Sequence, residues 1–407
     1  MSSPIFITRV KLRNYKSIGF CDIRLGRLTY LVGPNGSGKS NFLDALHFVR
    51  DALFGSLDNA LNERGGLNEV RRRSSGHPNH FGIRLEFWLD DNRRGYYAFN
   101  IGARPGRRYE ILAEECVIDG IGKGPFFQIE NSETSETKKI KTSIDLPFPS
   151  ITPDRLALVA VSGLSEFRPV FDALTAMGFY NLNPKLMREL QKPQDGRLLK
   201  SVGENIASVI GHLERVAPNQ LSIVQEYLQT VVPTVYGVER KPIGPMESLE
   251  FRQEMAGSKY PWRFLAQNMS DGTMRALGVL IALFQGNPDY LPKLVGIEEP
   301  ETALHPAASA ALREALQKAS ERTQVIVTSH SPDLLDDPML NADSLLAVAA
   351  DRGETKIAPI DDVSRDMMRE RLFSAGELLR QGQISPNPAD LAAQEQRQAD
   401  LFGDSVE

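Results

Sequence analysis

The sequence predicts an α/β fold on three observations. A short apolar run at residues 28–32 has the length and composition of a buried strand, and apolar residues at helical spacing follow from Phe42. Between about residues 81 and 130, apolar and polar residues alternate, which predicts an antiparallel meander. From about residue 165 to 232 the apolar spacing becomes helical, and short apolar runs return after residue 262. We therefore expect an α/β core with an antiparallel β-subdomain and an inserted helical subdomain.

Composition limits the class of protein. The length of 407 residues suggests two or three domains, or one domain with a large insertion, and the 41% apolar and 24% charged residues are ordinary for a globular chain. The net charge of −5 gives no general attraction to nucleic acid. Cys21 and Cys116 are far apart, which argues against a disulfide framework or a zinc site. These two cysteines fit a reducing cytoplasm, and no apolar run reaches transmembrane length, so we expect a cytoplasmic protein without a membrane partner.

A glycine-rich loop joins the first buried strand to the following helix. Its sequence, G-x-x-x-x-G-K-S, in a strand–loop–helix context predicts phosphate binding. Glycines let backbone N–H groups wrap around phosphates, and the helix presents its positive end. Lys39 would reach the β- and γ-phosphates, and the Ser40 hydroxyl would bind Mg²⁺. The predicted nucleotide-binding residues are Gly33, Pro34, Asn35, Gly36, Ser37, Gly38, Lys39, Ser40 and Asn41.

The elements around this loop follow from local patterns. Residues 5–31 indicate two strands, interrupted at residues 14–18, and residues 41–55 continue the helix. Residues 56–80 and 131–150 lack a strong period and are predicted to be loops. Several basic side chains near the core could contact nucleic-acid phosphates or form a solvated face. They are Lys11, Arg13, Lys16, Arg71, Arg72 and Arg73.

Later segments are predicted in the same way. Apolar residues from Leu199 to Leu213 predict one helix, and those from Ile223 to Val231 predict another. A strand is expected at residues 356–360 and a helix at residues 364–381. The tail from residue 385 has the composition of a weak helix or a disordered segment.

Polar residues at strand ends complete the predicted site. A short apolar strand ends in Glu298 and Glu299; one carboxylate can hold Mg²⁺ and the next can polarise an attacking water. Another apolar strand ends at His330, where α/β sheets place ligands, so we expect this histidine to sense the γ-phosphate. Ser270 precedes an apolar helix as a suitable N-cap, and Gly272 permits close backbone approach.

These stretches together resemble the ABC-type ATPases of the RecF and SMC group. Within it, the chain is similar to bacterial AAA-family ATPases that lack long coiled coils. The resemblance covers about residues 5–130 and 262–350, with the glycine-rich loop as a full Walker A match. The usual signature is Leu-Ser-Gly-Gly-Gln, from which Met269, Asp271 and Thr273 depart. Glu298 stands where the Walker B motif usually has aspartate.

The resemblance implies an ABC-type P-loop ATPase head that uses ATP and Mg²⁺. Ser40 and Glu298 would be the Mg²⁺ ligands. Glu299 would be the catalytic base and His330 the switch histidine, and Glu301 would begin the D-loop. The glutamine-loop residue is unassigned, with Gln128 among the candidates.

The resemblance also implies partners. The signature residues Ser270, Asp271 and Gly272 of one subunit would close over ATP held by the other, so we expect a homodimer. Relatives in this group serve in DNA repair and anti-phage defence, often beside a separately encoded effector. We therefore expect an ATP-driven switch that controls a DNA-directed process or an effector such as a nuclease, with DNA as a further candidate partner. The alternatives are a RecF-like repair ATPase that binds DNA directly and a transporter-type ATPase subunit.

Four segments of the domain organisation are predicted along the chain. Residues 1–164 would form the N-terminal half of the head, and residues 165–261 the inserted helical subdomain. Residues 262–362 would form the C-terminal half of the head, followed by a helix and tail at residues 363–407.

Overall fold

The computed structural model describes residues 6–74, 78–90, 92–104, 107–120, 123–131, 138–145, 147–286, 291–397 and 401–402. It confirms the predicted α/β fold, because strands and helices are mixed along the chain. The strands are β1 (Ile7–Tyr15), β2 (Ile18–Arg24), β3 (Leu28–Val32), β4 (His80–Trp88), β5 (Arg94–Arg104), β6 (Arg107–Ile118), β7 (Phe126–Asn131), β8 (Lys138–Thr142), β9 (Gly178–Tyr180), β10 (Val235–Ile243), β11 (Met246–Gln253), β12 (Trp262–Leu265), β13 (Leu294–Glu298), β14 (Gln324–Ser329), β15 (Leu345–Asp351) and β16 (Glu354–Pro359).

The helices range from one turn to four. They are α1 (Lys39–Phe54), α2 (Leu57–Asn62), α3 (Leu67–Val70), α4 (Ala157–Val161), α5 (Arg168–Thr175), α6 (Pro184–Arg188), α7 (Ile206–Val216), α8 (Pro218–Val231), α9 (Asp271–Phe284), α10 (Ser309–Ser320), α11 (Pro332–Leu335), α12 (Asp362–Arg369), α13 (Ala375–Arg380) and α14 (Pro388–Gln396), with 3₁₀ turns at Ala266–Asn268, Pro306–Ala308 and Ala342–Ser344. Among the described residues, no helix has the length and apolar character needed to cross a bilayer.

The chain divides into two compact units. Unit 1 comprises residues 1–177, 341–369 and 383–407, and unit 2 comprises residues 178–340 and 370–382. The domain limits predicted at residues 164, 261 and 362 stay predictions.

Unit 1 is built on strands of a mixed sheet. Its strands lie in the order β8-β7-β6-β5-β4-β1-β2-β16-β15-β3. Strands β4 to β7 are antiparallel neighbours in sequence order, which confirms the predicted meander. Strand β3 is parallel to β15, with Tyr30 opposite Leu345. The loop that leaves β3 therefore lies beside the second half of β15 and the turn into β16.

Helix α1 is fixed on this sheet by aromatic packing. The ring of Phe48 lies 5.4 Å from that of Phe81, 6.1 Å from that of Tyr15 and 6.2 Å from that of Phe99, all measured between centroids. All four side chains are fully buried. Edge-to-face and tilted aromatic contacts of this kind add to the free energy gained from burial. The packing holds the first turn of α1 at the end of the glycine-rich loop.

Unit 2 contains three parallel strands and a separate small sheet. The parallel strands lie in the order β14-β13-β9, with Val295 opposite both Val325 and Gly178. Because parallel strands end at the same edge, Glu298 at the end of β13 lies opposite Thr328 near the end of β14. Strands β10 and β11 lie inside the block predicted to be helical, and they form an antiparallel sheet with β12, which begins directly after that block.

Some predicted loops and strands were wrong. Residues 56–80 contain α2 and α3 as well as the start of β4, and residues 131–150 contain β8, which pairs with β7. Elements of four to six residues are too short to show a hydrophobic period. Residues 75–77, 132–137 and 146 lie outside the described residues. Residues 5–31 hold three strands rather than two, because the interruption at residues 14–18 is a tight hairpin turn with Lys16 at φ 47°.

Helix limits also differ from the predictions. Leu199 lies outside α7, because the side-chain amide of Asn205 bonds to the amide of Lys200 and the carbonyl of Leu198, both at 2.9 Å, and holds a loop. The helix expected at residues 364–381 is two helices, separated where the Ser374 capping box starts α13. The tail forms α14, with Asn387 as its N-cap. Residues 398–400 and 403–407 of the predicted tail lie outside the described residues.

Candidate functional site

The glycine-rich loop, residues 33–40, takes a shape that requires its glycines. Gly36 has φ +77° and Gly38 has φ +102°, in the left-handed region that other residues avoid. A Cβ atom on Gly38 would lie 1.9 Å from the Thr355 Oγ1 atom, and one on Gly33 would lie 2.0 Å from the Val348 carbonyl oxygen. The loop is therefore packed tightly against β15 and β16.

Two polar side chains in this loop fit an anionic ligand. The buried Lys39 Nζ donates to the carbonyl oxygens of Gly33 at 2.8 Å and Pro34 at 3.0 Å. The ammonium group therefore lies inside the curve of the loop backbone. The Ser37 hydroxyl is buried and has no hydrogen-bond partner within the described ranges. A buried hydroxyl normally has a partner, and a phosphate oxygen would provide one.

A series of side-chain hydrogen bonds stabilises the loop, and the sequence did not predict them. The Thr355 hydroxyl donates to the Ser37 carbonyl oxygen at 2.8 Å and lies 2.7 Å from the Ser17 hydroxyl. The Asn41 side chain donates to Ser17 Oγ at 2.6 Å. Ser17 and Thr355 are 338 residues apart, so no local pattern could have found this pair.

Most of the basic residues considered for nucleic-acid contact are engaged within unit 1. Lys11 is 3% exposed, and burial lowers the pKa of its ammonium group. Lys16 Nζ lies 2.6 Å from an Asp44 carboxylate oxygen. The adjacent arginines also have partners: Arg71 with the Pro78 carbonyl, Arg72 with Glu354 and Arg73 with Glu69. The carboxylates paired with Lys16, Arg72 and Arg73 reduce the positive charge available to an external phosphate.

In unit 2, the predicted catalytic carboxylate is on a constrained turn. Glu299 has φ +42°, a left-handed conformation that costs a non-glycine residue about 1–3 kcal/mol. Its amide donates to the Thr328 carbonyl oxygen at 3.0 Å, and Arg275 Nη2 donates to the Glu299 carbonyl oxygen at 3.2 Å. Burial lowers the pKa of the Arg275 guanidinium, against the opposing effect of nearby carboxylates. Arg275 and Thr328, which sequence reasoning missed, thus fix the backbone of this turn.

Glu299 and His330 are in direct contact. The Glu299 Oε1 atom lies 3.1 Å from His330 Nδ1, and the two side chains are 35% and 41% exposed. The carboxylate remains open to solvent while the imidazole restricts its orientation. A pair of this kind can accept a proton from a water molecule and hold it.

The side chain of Glu301 stabilises the same turn through a hydrogen bond. The Ser329 hydroxyl donates to Glu301 Oε1 at 2.6 Å, and the other carboxyl oxygen is buried without a partner among the described residues. Burial raises the pKa of Glu301. The residue predicted to begin the D-loop therefore ties the turn after β13 to the end of β14.

The predicted signature stretch begins α9. Ser270 Oγ accepts a hydrogen bond from the Thr273 amide at 3.1 Å, which makes Ser270 the N-cap. A Cβ atom on Gly272 would lie 2.5 Å from the Ala303 carbonyl oxygen, so glycine allows this helix to approach the D-loop segment. Asp271 forms an ion pair with Arg188 of α6.

The chain is similar to known AAA-domain families along most of its length. A family described as AAA domain matches residues 9–227, and one described as AAA domain, putative AbiEii toxin, Type IV TA system, matches residues 249–336. The OLD nuclease of Thermus scotoductus is 21% identical over 392 residues, which cover 91% of this chain and 68% of that protein. The DNA replication and repair protein RecF of Vibrio cholerae is 29% identical over 115 residues, 26% of this chain and 31% of RecF.

A solved structure shows the same fold. The Smc head domain with an extended coiled coil, bound to the C-terminal domain of ScpA derived from Pyrococcus furiosus, superposes with a TM-score of 0.57 at 12% identity. The superposition covers 90% of this chain and 99% of that one.

Proposed function

We propose that this chain, which belongs to the AAA-domain family and is a RecF/SMC-like ABC-type ATPase, binds ATP and hydrolyses it with Mg²⁺. The contact of Glu299 with His330 at the strand ends carries the proposal. A module that used the nucleotide only for structure would not need a proton acceptor there. The test is phosphate release from ATP by the purified protein with Mg²⁺, compared with the same protein in excess chelator. Absence of phosphate release above the chelated control would contradict the proposal.

Different residues of the chain would bind the phosphates and accept the proton. The amides of the glycine-rich loop and the Lys39 ammonium would hold the phosphates, and the Ser37 hydroxyl can donate to a phosphate oxygen. Glu299 would take the proton of the attacking water, with His330 fixing its carboxylate.

Mg²⁺ would be held by Ser40 and Glu298, and when bound it neutralises phosphate charge. In the described ranges, no three His, Cys, Asp or Glu side chains are grouped to hold a metal ion. Waters and phosphate oxygens would therefore supply the other ligands, which is usual for Mg²⁺.

We further propose that ATP closes a homodimer. In this proposal, Ser270, Asp271 and Gly272 of one subunit cover the triphosphate held by the other, giving two equal sites by symmetry. Hydrolysis would then release the subunits, which makes the protein a switch.

Ser270→Arg is expected to prevent closure without removing ATP binding to the glycine-rich loop. The long cation would clash at the second half of the site, and turnover should fall by about tenfold or more. Light scattering with and without Mg-ATP measures closure, and phosphate release measures turnover. Ser222→Arg, at an exposed position of α8, is the matched control. If the Ser270→Arg protein hydrolyses ATP at the wild-type rate, the signature stretch serves only as a helix cap. Loss of such a cap costs about 1 kcal/mol of stability.

Control of an effector, such as a nuclease in anti-phage defence, is the role we propose for the switch. Two matches support it: one relative is named as an OLD nuclease, and one family description names a putative AbiEii toxin. Co-purification of the wild type and of Glu299→Gln with the products of neighbouring genes, with and without ATP, is the direct test. If the same products co-purify with both proteins whether or not ATP is present, the nucleotide does not control the binding of the partner.

A RecF-like repair ATPase that binds DNA directly is the second candidate, favoured by the RecF match. If several phosphates are contacted, binding should weaken steeply between low and physiological salt. The measurement is a shift assay with duplex DNA, using Arg71, Arg72 and Arg73 changed together to alanine. Lys139 and Lys141 on β8, changed together to alanine, form the control. No shift at low salt, with and without ATP, would remove this candidate.

A further inference from the structure

An ion pair joins two segments of unit 2 at the signature stretch. Arg188, the last residue of α6, contacts the carboxylate of Asp271, the first residue of α9. The Arg188 side chain is 23% exposed and the Asp271 side chain is 66% exposed. Arg188 Nε is buried and has no hydrogen-bond partner among the described residues. Among the described residues, Asp271 is the carboxylate with which the Arg188 guanidinium forms an ion pair.

Asp271 places a negative charge in the signature stretch. It lies between Ser270 and Gly272, in the stretch proposed to meet the triphosphate bound to another copy of the chain. A carboxylate facing a triphosphate would repel it, and like charges in an interface oppose association. The usual signature has glycine here, which carries no charge. With aspartate at this position, a cation beside the carboxylate would offset the repulsion of a triphosphate.

We propose that Arg188 is a positioning residue that holds and neutralises the Asp271 carboxylate, so that the signature stretch can accept a triphosphate from a second copy. This inference rests on the proposed ATP-driven closure. The guanidinium has a planar set of donors that matches a carboxylate, and it stays charged at all ordinary pH values. Arg188 thus acts through Asp271 and is not placed on the phosphates itself.

A purely structural role makes a different prediction. Partly exposed ion pairs contribute little to stability. If Arg188 only joined α6 to α9, its loss would lower the melting temperature slightly at most, and removal of the Asp271 charge would not restore any activity lost with the arginine. If Arg188 neutralises Asp271, removal of the charge should make the arginine dispensable.

The experiment is a double-mutant cycle on phosphate release and on ATP-dependent dimer formation. Arg188→Ala should lower turnover by about tenfold or more at unchanged melting temperature. Arg188→Lys should retain most of the activity, because the charge remains. Arg188→Ala combined with Asp271→Asn should match Asp271→Asn alone rather than Arg188→Ala. Arg168→Ala removes a comparable exposed ion pair with Asp172 on α5 and should behave as wild type.

Two outcomes would overturn the inference. Arg188→Ala could turn over ATP at the wild-type rate, or the double variant could stay as low as Arg188→Ala. These two outcomes can be distinguished from failure of the proposed function. In that case the wild-type protein would not release phosphate, and its molar mass by light scattering would not change with Mg-ATP. That last result would remove the proposed function and this inference together.

Discussion

Glu299→Gln should lower the rate of ATP hydrolysis by about a hundredfold to ten-thousandfold, the usual contribution of a general base. Glutamine keeps the size of the side chain, and the backbone bonds from Glu299 to Thr328 and Arg275 are unaffected by it. The amide cannot accept a proton from water, whereas the carboxylate can. ATP binding should therefore remain while turnover is lost, and the ATP-bound dimer should accumulate.

Phosphate release, nucleotide binding and light scattering with Mg-ATP measure the three parts of this result. Glu321→Gln, which neutralises an exposed glutamate paired with Lys318, is the matched control and should change none of them. Glu298→Gln separates metal binding from base function, since its defect should shrink at high Mg²⁺ concentration. Full ATPase activity in purified Glu299→Gln protein would refute the assignment of the base. An identical mass distribution in every condition would leave closure by ATP without support.

Lys39→Ala should abolish detectable ATP binding. Loss of a buried charged partner of a ligand costs about 2–5 kcal/mol, which corresponds to binding weaker by roughly thirtyfold to several thousandfold. In the structure the Lys39 ammonium is already oriented into the loop, through its bonds to the Gly33 and Pro34 carbonyl oxygens. Alanine removes the positive charge and leaves the glycine dihedral angles free to form the same loop.

Equilibrium binding of a fluorescent ATP analogue, with a thermal melt of each protein, is the appropriate measurement. Lys139→Ala, at an exposed lysine of β8, should bind the analogue as the wild type does. Wild-type affinity in a folded Lys39→Ala protein would show that the loop does not bind the triphosphate. If Lys39→Ala loses both binding and thermal stability, Lys39→Gln separates the two effects. Glutamine keeps hydrogen-bond donors for the carbonyl oxygens but lacks the positive charge.

Residues that act within one short segment were predicted correctly. The strand at residues 28–32, the helix after it and the N-cap at Ser270 each follow from a pattern spanning a few residues. Their cause is local: side-chain period, glycine freedom and capping bonds all act within one or two turns of chain. The positions of Glu298 and His330 at strand ends also follow from a local pattern, because the change from apolar to polar residues marks the end of a strand, whereas their catalytic roles stay predictions.

Contacts between distant segments could not be predicted in this way. Thr355 reaches Ser37 from 318 residues away, and Ser329 reaches Glu301 from the neighbouring strand. Strand order decides both contacts, because β15 parallel to β3 and β14 parallel to β13 bring the partners to the same sheet edge.

The sequence by itself thus determined which residues we propose to carry the chemistry: the glycine-rich loop, the two carboxylates and the histidine. Only the tertiary structure decided what holds them. The left-handed backbone of Glu299 and the ion pair between Arg188 and Asp271 have no sequence pattern of their own. The physical reason is that periodicity and capping report interactions along the chain, whereas these contacts exist only after separate segments have packed together.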